Sequence, residues 1–260
     1  MKNIQIAYGI AIAAMIAVFA CLGYHFSPRG SGMETFFFAL GGKMPDGLIQ
    51  FASFACFFIC LFGIQSVWKR IAYEEKTYGA RLLPETEQYV LYAEDVNRIK
   101  LETIEAERRM GPSMLTDLIK QATTKFRANS STSEALAMVE TVSEMQRKNM
   151  EKEFWLIQIC TTLIPAFGFL GTVWGMAAAI LNMGQPSPTV SVSGKPVVSQ
   201  GPDFQALIDS MGTAFFTTIV AIVLGIVVSI LTKRLESKVE DLHTGMKRYV
   251  VENLVNRIHL

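Results

Sequence analysis

The chain has 260 residues, is 50% hydrophobic and 18% charged, and carries 24 basic against 23 acidic residues for a net charge of +1. That balance, with no basic stripe, argues against nucleic acid as a partner. The apolar residues gather into four runs nearly free of charge, which excludes an ordinary water-soluble globule.

The first run is Ile4 to Tyr24. A stretch of about 20 apolar residues is long enough to cross a bilayer core as a helix. Only Lys2 precedes it, the run exceeds a usual signal core, and no A-x-A site follows, so a first transmembrane helix is expected. Val18-Phe19-Ala20-Cys21 is a loose lipoprotein cleavage pattern that Phe19 fits poorly. Loop 25–48 leads to the second run, Leu48 to Trp68, which ends on Lys69-Arg70. Cys21, Cys56, Cys60 and Cys160 all fall inside apolar runs. Without a His or carboxylate near them in the run, they are expected to be small packing residues, not metal ligands.

Segment 69–153 holds most of the charge and reads as helices. Val90, Ala93, Asn97, Leu101 and Ile104 suggest one buried face, and Gly111-Pro112 breaks that helix. Leu115, Leu118, Ile119, Ala122 and Phe126 mark the face of a second. Arg98, Lys100, Glu102, Glu105, Glu107, Arg108 and Arg109 form a charge-rich stretch expected to be solvated. After the polar loop "ANSSTS", Ser131 and Glu134 have capping-box spacing. No breaker follows until Pro165, so one helix is expected from Thr132 through the third run, Phe154 to Met183. About 50 residues at 1.5 Å each give a rod of roughly 75 Å, much of it outside the bilayer.

Loop 184–211 follows. Within it "TVSVS" and "PVVSQ", separated by Gly194-Lys195, predict a short hairpin. The fourth run, Gly212 to Thr232, ends on Lys233-Arg234. In the tail, Leu235, Val239, Leu242, Met246 and Tyr249 form a helical stripe that wants a partner helix. Bases cluster at 69–70 and 233–234 and are sparse in loops 25–48 and 184–211, so the positive-inside rule places both termini in the cytoplasm. The expected fold is an all-α polytopic membrane protein with four transmembrane helices and long cytoplasmic helical extensions. Its parts are 1–68, the cytoplasmic segment 69–153, 154–232 and the C-terminal helix 233–260.

The third run has a peculiar face. Thr161, Pro165, Gly168, Thr172, Gly175, Ala179 and Asn182, at alternating steps of four and three, are all small, polar or proline, while Gly171 lies beside them. In the fourth run Ala214, Thr218, Ala221, Gly225 and Ser229 do the same, with Thr217 adjacent. Small faces let helix backbones approach in lipid. The threonine hydroxyls have two readings: a bond back to a carbonyl of their own helix, or a polar path or partner helix.

At these residues a resemblance enters. Pro165, Gly168, Leu170, Gly171, Thr172, Val173, Gly175 and Met176 resemble the third-span motif of the MotA/TolQ/ExbB proton-channel family, in its TolQ and ExbB branch. "AFFTTIVAIVLGI", 214–226, resembles that branch's fourth-span run, with Ala221 in place of a glycine and no proline after Gly225. Four spans is the count of MotA. The resemblance implies a homopentameric ring in the bacterial inner membrane. It implies a central dimer of a single-span protein of the MotB/TolR/ExbD type with a membrane aspartate, and proton or sodium flow coupled to mechanical work. It also implies that Thr172 and Thr218, with Thr217 second, face the partner's aspartate. From their places on or beside the small faces, Thr161 and Asn182 are further candidates for the ion path, and Pro165, Gly168, Gly171, Gly175, Ala179, Ala214, Ala221 and Gly225 for the wall. From the residues themselves, neither run contains Asp, Glu, Lys, Arg or His. Intramembrane relays use such groups, so the titrating one must come from elsewhere. No HExxH, P-loop or Gly-rich phosphate turn is present, and no enzyme activity or cofactor is expected. The competing reading is an oligomeric four-span scaffold without ion flow.

Overall fold

The computed structural model describes residues 2–28, 32–42, 47–85, 90–183, 190–192, 195–197 and 204–258. Among them are α1 (Lys2–Phe26), α2 (Gly32–Ala39), α3 (Gly47–Gly79), α4 (Ala93–Met110), α5 (Met114–Asn129), α6 (Thr132–Met183), the strands β1 (Val190–Val192) and β2 (Lys195–Val197), and α7 (Phe204–Asn253). Four of these helices are long and apolar enough to cross a membrane. The fold is all-α, and the chain is a membrane protein. The two strands pair antiparallel, Val190 with Val197 and Val192 with Lys195. The Ser193-Gly194 connection and the rest of loop 184–203 lie outside the described residues.

The chain divides into two units. One contains Met1–Gly63 and Leu156–Leu231, the other Ile64–Trp155 and Thr232–Leu260. The first is apolar and holds the four charge-free runs almost whole. Where α1 meets α3, Gly9 leaves no room for a side chain: a Cβ there would stand 2.8 Å from Ile59 Cγ1. Gly63 likewise admits the side chain of Ile157 from α6.

The second unit is charged and has a core of the kind found in water-soluble bundles. Leu115, Leu118, Ile119, Ala122 and Phe126 of α5 are all buried, as the sequence pattern predicts. They pack with Val96 and Ile99 of α4, Val139, Val142 and Met150 of α6, and Met246 and Val250 of α7. The tail stripe therefore finds its partner inside the chain. Tyr249 lies 3.0 Å from the Leu83 backbone N–H, which donates to its hydroxyl oxygen. The α4–α5 break is made by Gly111 at φ 92°, a conformation open to glycine.

Five expectations need correction. The buried face of α4 is Val96, Ile99 and Thr103. Leu101, assigned to that face, is 63% exposed, because the side of α4 that meets α5 is turned away from it. Glu107 does not join the solvated charge run: its carboxylate accepts from Lys120 Nζ of α5 at 2.6 Å, both half-buried. The capping box at Ser131 is one-sided. Its hydroxyl accepts from the Glu134 N–H at 3.3 Å, but the Glu134 carboxylate is taken by Lys125 and Asn129. Finally, loop 25–48 contains α2, whose Phe37 is buried and stacks edge-on with Phe19 of α1. α7 also begins at Phe204, ahead of the run counted from Gly212.

Candidate functional site

The small faces of α6 and α7 meet each other within one chain, running antiparallel. Pro165 lies beside Gly225, Gly168 beside Ala221, Gly171 beside Thr217 and Gly175 beside Ala214. A Cβ on Gly168 would stand 2.6 Å from that of Ala221. One on Gly175 would stand 2.6 Å from that of Ala214 and 2.8 Å from the Ser210 carbonyl oxygen. The space beside Gly171 is filled by the Thr217 side chain. Glycine is required at these points because the backbones approach where lipid offers little apolar driving force between helices. Gly225 is looser, with Pro165 Cδ at 3.7 Å.

The hydroxyls lie along this seam. Thr218 Oγ1 stands 2.9 Å from the Gly168 carbonyl across the seam and 3.1 Å from the Ala214 carbonyl on its own helix. Thr217, 6% exposed, donates to the Ala214 carbonyl at 3.0 Å. Thr172 is half-buried and donates to the Phe169 carbonyl at 2.6 Å. The back-bonding reading is visible for all three hydroxyls, and Thr218 in addition reaches the Gly168 carbonyl of α6 in the same chain. Pro165 has no N–H, so the Thr161 carbonyl lacks its usual helical donor.

Thr161 belongs to a different contact. Its hydroxyl donates to the Ile157 carbonyl at 2.7 Å and lies 3.9 Å from Cys60 Sγ of α3. Cys60 and Cys160 are both buried, and Cys60 Sγ lies 3.5 Å from the Ile157 carbonyl, where α3 packs on α6. Sequence spacing shows only that Cys56 and Cys60 share a face; that Cys60 reaches the Ile157 carbonyl of α6 is a tertiary fact. Among the described residues no His, Cys, Asp or Glu group is arranged to hold a metal ion. Ala179, Ala214 and Ala221 are buried. The Asn182 side chain lies outside the described residues, although its backbone is helical. Ser210, which the sequence reading left in a loop, is buried within α7 at the Gly175 end of the seam.

The seam supplies hydroxyls, carbonyls and close walls, with no Asp, Glu, Lys, Arg or His from Phe154 to Met183 or from Gly212 to Thr232. No curated protein matches the chain. The model of one protein family, the MotA/TolQ/ExbB proton channel family, matches residues 111–248. That range is more than half of the chain and includes α5, all of α6, the hairpin and both sides of the seam; the chain belongs to the MotA/TolQ/ExbB proton channel family.

Proposed function

We propose that the chain is the ring-forming subunit of an ion-driven membrane motor, a pentamer around two copies of a single-span partner that carries a membrane aspartate. The observation that carries this reading is the family match over a seam that offers hydroxyls but no titratable group. A proton path needs a group that exchanges protons within the membrane. The partner's aspartate supplies it, and the half-buried Thr172 and Thr218 are the hydroxyls this reading turns toward it. Thr217 is closed against Gly171 and serves the wall. The apolar outer faces, with Phe169, Trp174 and Ile180 of α6 and Phe215, Ile219 and Ile226 of α7 exposed in the single chain, are covered by neighbouring subunits and lipid. The chain is a channel and force-transmitting part, without enzymatic chemistry, set in the bacterial inner membrane with both termini cytoplasmic.

The test is reconstitution. The chain is co-expressed with a short single-span protein encoded beside it that has an aspartate in its span. The complex is imaged for stoichiometry and placed in proteoliposomes under a pH gradient. A five-to-two complex that carries protons, and stops when the partner's aspartate becomes asparagine, is the expected result. A stable oligomer that binds no such partner and passes no ions establishes the scaffold instead.

A further inference from the structure

The joint between α4 and α5 is clipped to α3 by two consecutive side chains. Tyr73 Oη stands 2.8 Å from the Met110 carbonyl and 3.2 Å from the Pro112 carbonyl. Glu74 accepts from the Met114 backbone N–H, the first of α5, at 2.9 Å. From α6, Gln146 Nε2 donates to the Met114 carbonyl at 3.2 Å and to Asp117 at 3.1 Å. The joint is thus held from two sides, and a cavity of about 360 Å³ opens beside it, lined in part by Arg70, Glu74, Ser113 and Gln146. Glu74 lies beyond the apolar run that ends at Trp68, and only 4% of it is exposed.

The clip is notable because its acceptor is a carboxyl group that is almost fully buried. Burial of the ionised form is costly unless fully compensated. Here the compensation is partial. The helix N-terminus of α5 and one amide favour the anion. Arg70, the cation on its own helix, is engaged by Glu153 of α6. Lys120 of α5 is engaged by Glu107 of α4, and Asp117 adds a like charge on the cavity wall. Burial outweighs the Met114 amide and Arg70, so the Glu74 carboxyl is held above its ordinary 4.5.

We propose that Glu74 is a proton-controlled latch: protonated, it stays seated on the first turn of α5, and ionised, it leaves for the hydrated cavity and frees the α4–α5 joint. The sign follows from linkage. A carboxyl whose proton is held more tightly in the seated state favours that state at low pH. The bias is complete below the ordinary value and is lost as pH rises through the raised one. Between the two values the open fraction rises up to about tenfold per pH unit. The latch requires no ion flow and no partner, so it stands or falls apart from the motor assignment.

Hydrogen exchange on the full chain in lipid nanodiscs tests this, with rates across pH 5 to 8 corrected for the intrinsic pH dependence of exchange. Amides of residues 111–119 are expected to lose protection as pH rises in the native chain. In Glu74→Gln, which keeps an acceptor but no titration, they should stay protected at every pH. Glu107→Gln should keep the native slope. Tyr73→Phe retains Glu74 and guards against a Glu74 variant that fails to fold: its baseline opening should rise while its slope persists. A flat native profile overturns the latch, as does a slope that survives in Glu74→Gln or vanishes in Tyr73→Phe.

Discussion

The same two helices are stuck together by opposite chemistries at their two ends. In the charged unit α6 offers Val139, Val142 and Met150, and α7 offers Met246 and Val250, all buried. In the apolar unit they meet through Gly168, Gly171 and Gly175 against Ala214, Thr217 and Ala221. The cause is the solvent of each unit. Water expels large apolar side chains into a shared core, at about 25 cal/mol for each Å² buried. Lipid tails do not, since they are as apolar as leucine, so close packing and hydroxyl–carbonyl bonds remain. The large residues of the apolar stretch accordingly stand on the outside: Phe169, Trp174 and Ile180 are exposed in the single chain.

If that contrast is right, removing volume should hurt one end and adding volume the other. Met246→Ala deletes a fully buried side chain in the charged core. The expected cost is about 3 kcal/mol, within the usual span for Met to Ala, read as loss of stability in denaturant or heat unfolding in nanodiscs. Gly171→Leu adds volume where Thr217 already fills the space. Overpacking of this kind costs roughly 1–3 kcal/mol, and assembly into the ring should fail as the seam spreads. The paired control is Ala221→Gly, which removes a methyl from the seam and should be far milder than Met246→Ala. A seam that tolerates Gly171→Leu, with native stability and native oligomer mass, would break the comparison.

The sequence carried the lengths and characters of the elements well, because those follow from local pattern. α6 runs unbroken from Thr132 to Met183, as the absence of breakers before Pro165 requires, and Pro165 is accommodated inside it. The buried face of α5 follows its apolar period, whereas that of α4 does not. On α4 two apolar stripes compete, one through Val96 and Ile99, the other through Leu101, and only the position of α5 decides between them. The small faces of α6 and α7 were legible as faces that admit a close neighbour. That each is the other's neighbour was not, since periodicity names no partner. Glu74 was invisible for the same reason: in sequence it is one acid in Glu74-Glu75-Lys76, and its role appears only when Met114, 40 positions away, reaches it.

The hydroxyls sharpen the comparison at smaller energy. Thr218→Val keeps the shape and removes the bridge to the Gly168 carbonyl. Hydrogen bonds between membrane helices average about 0.6 kcal/mol, so fold and assembly should survive. Ion flow in proteoliposomes should fall, as it should for Thr172→Val, whereas Thr217→Val should affect packing more than flow. Native flow in the Thr218 and Thr172 variants would leave these hydroxyls a packing role alone.

The smallest expected effect is a pH dependence in the charged unit, opposite in sign to that of Glu74. His243 of α7 is half-buried against α6, with Nε2 2.9 Å from the Ser143 carbonyl, where a neutral Nε2–H donates. Burial holds its proton affinity below the ordinary 6.5; the Ser143 carbonyl and Glu144 oppose this, while Arg147 and Lys247 add to it. A base held below its ordinary value is stabilising above that value. That contribution is lost as pH falls from 6.5 toward the depressed value, because the unfolded chain then binds the proton more readily. Acidification should therefore loosen the α6–α7 contact around His243. Glu74 responds to pH with the other sign, so the measurement belongs in the Glu74→Gln background. There, the melting temperature should fall between pH 7 and pH 5.5, and the added change His243→Gln should reduce that fall. If the double variant melts with an undiminished slope, the pH response of this end of the helix pair belongs to other groups.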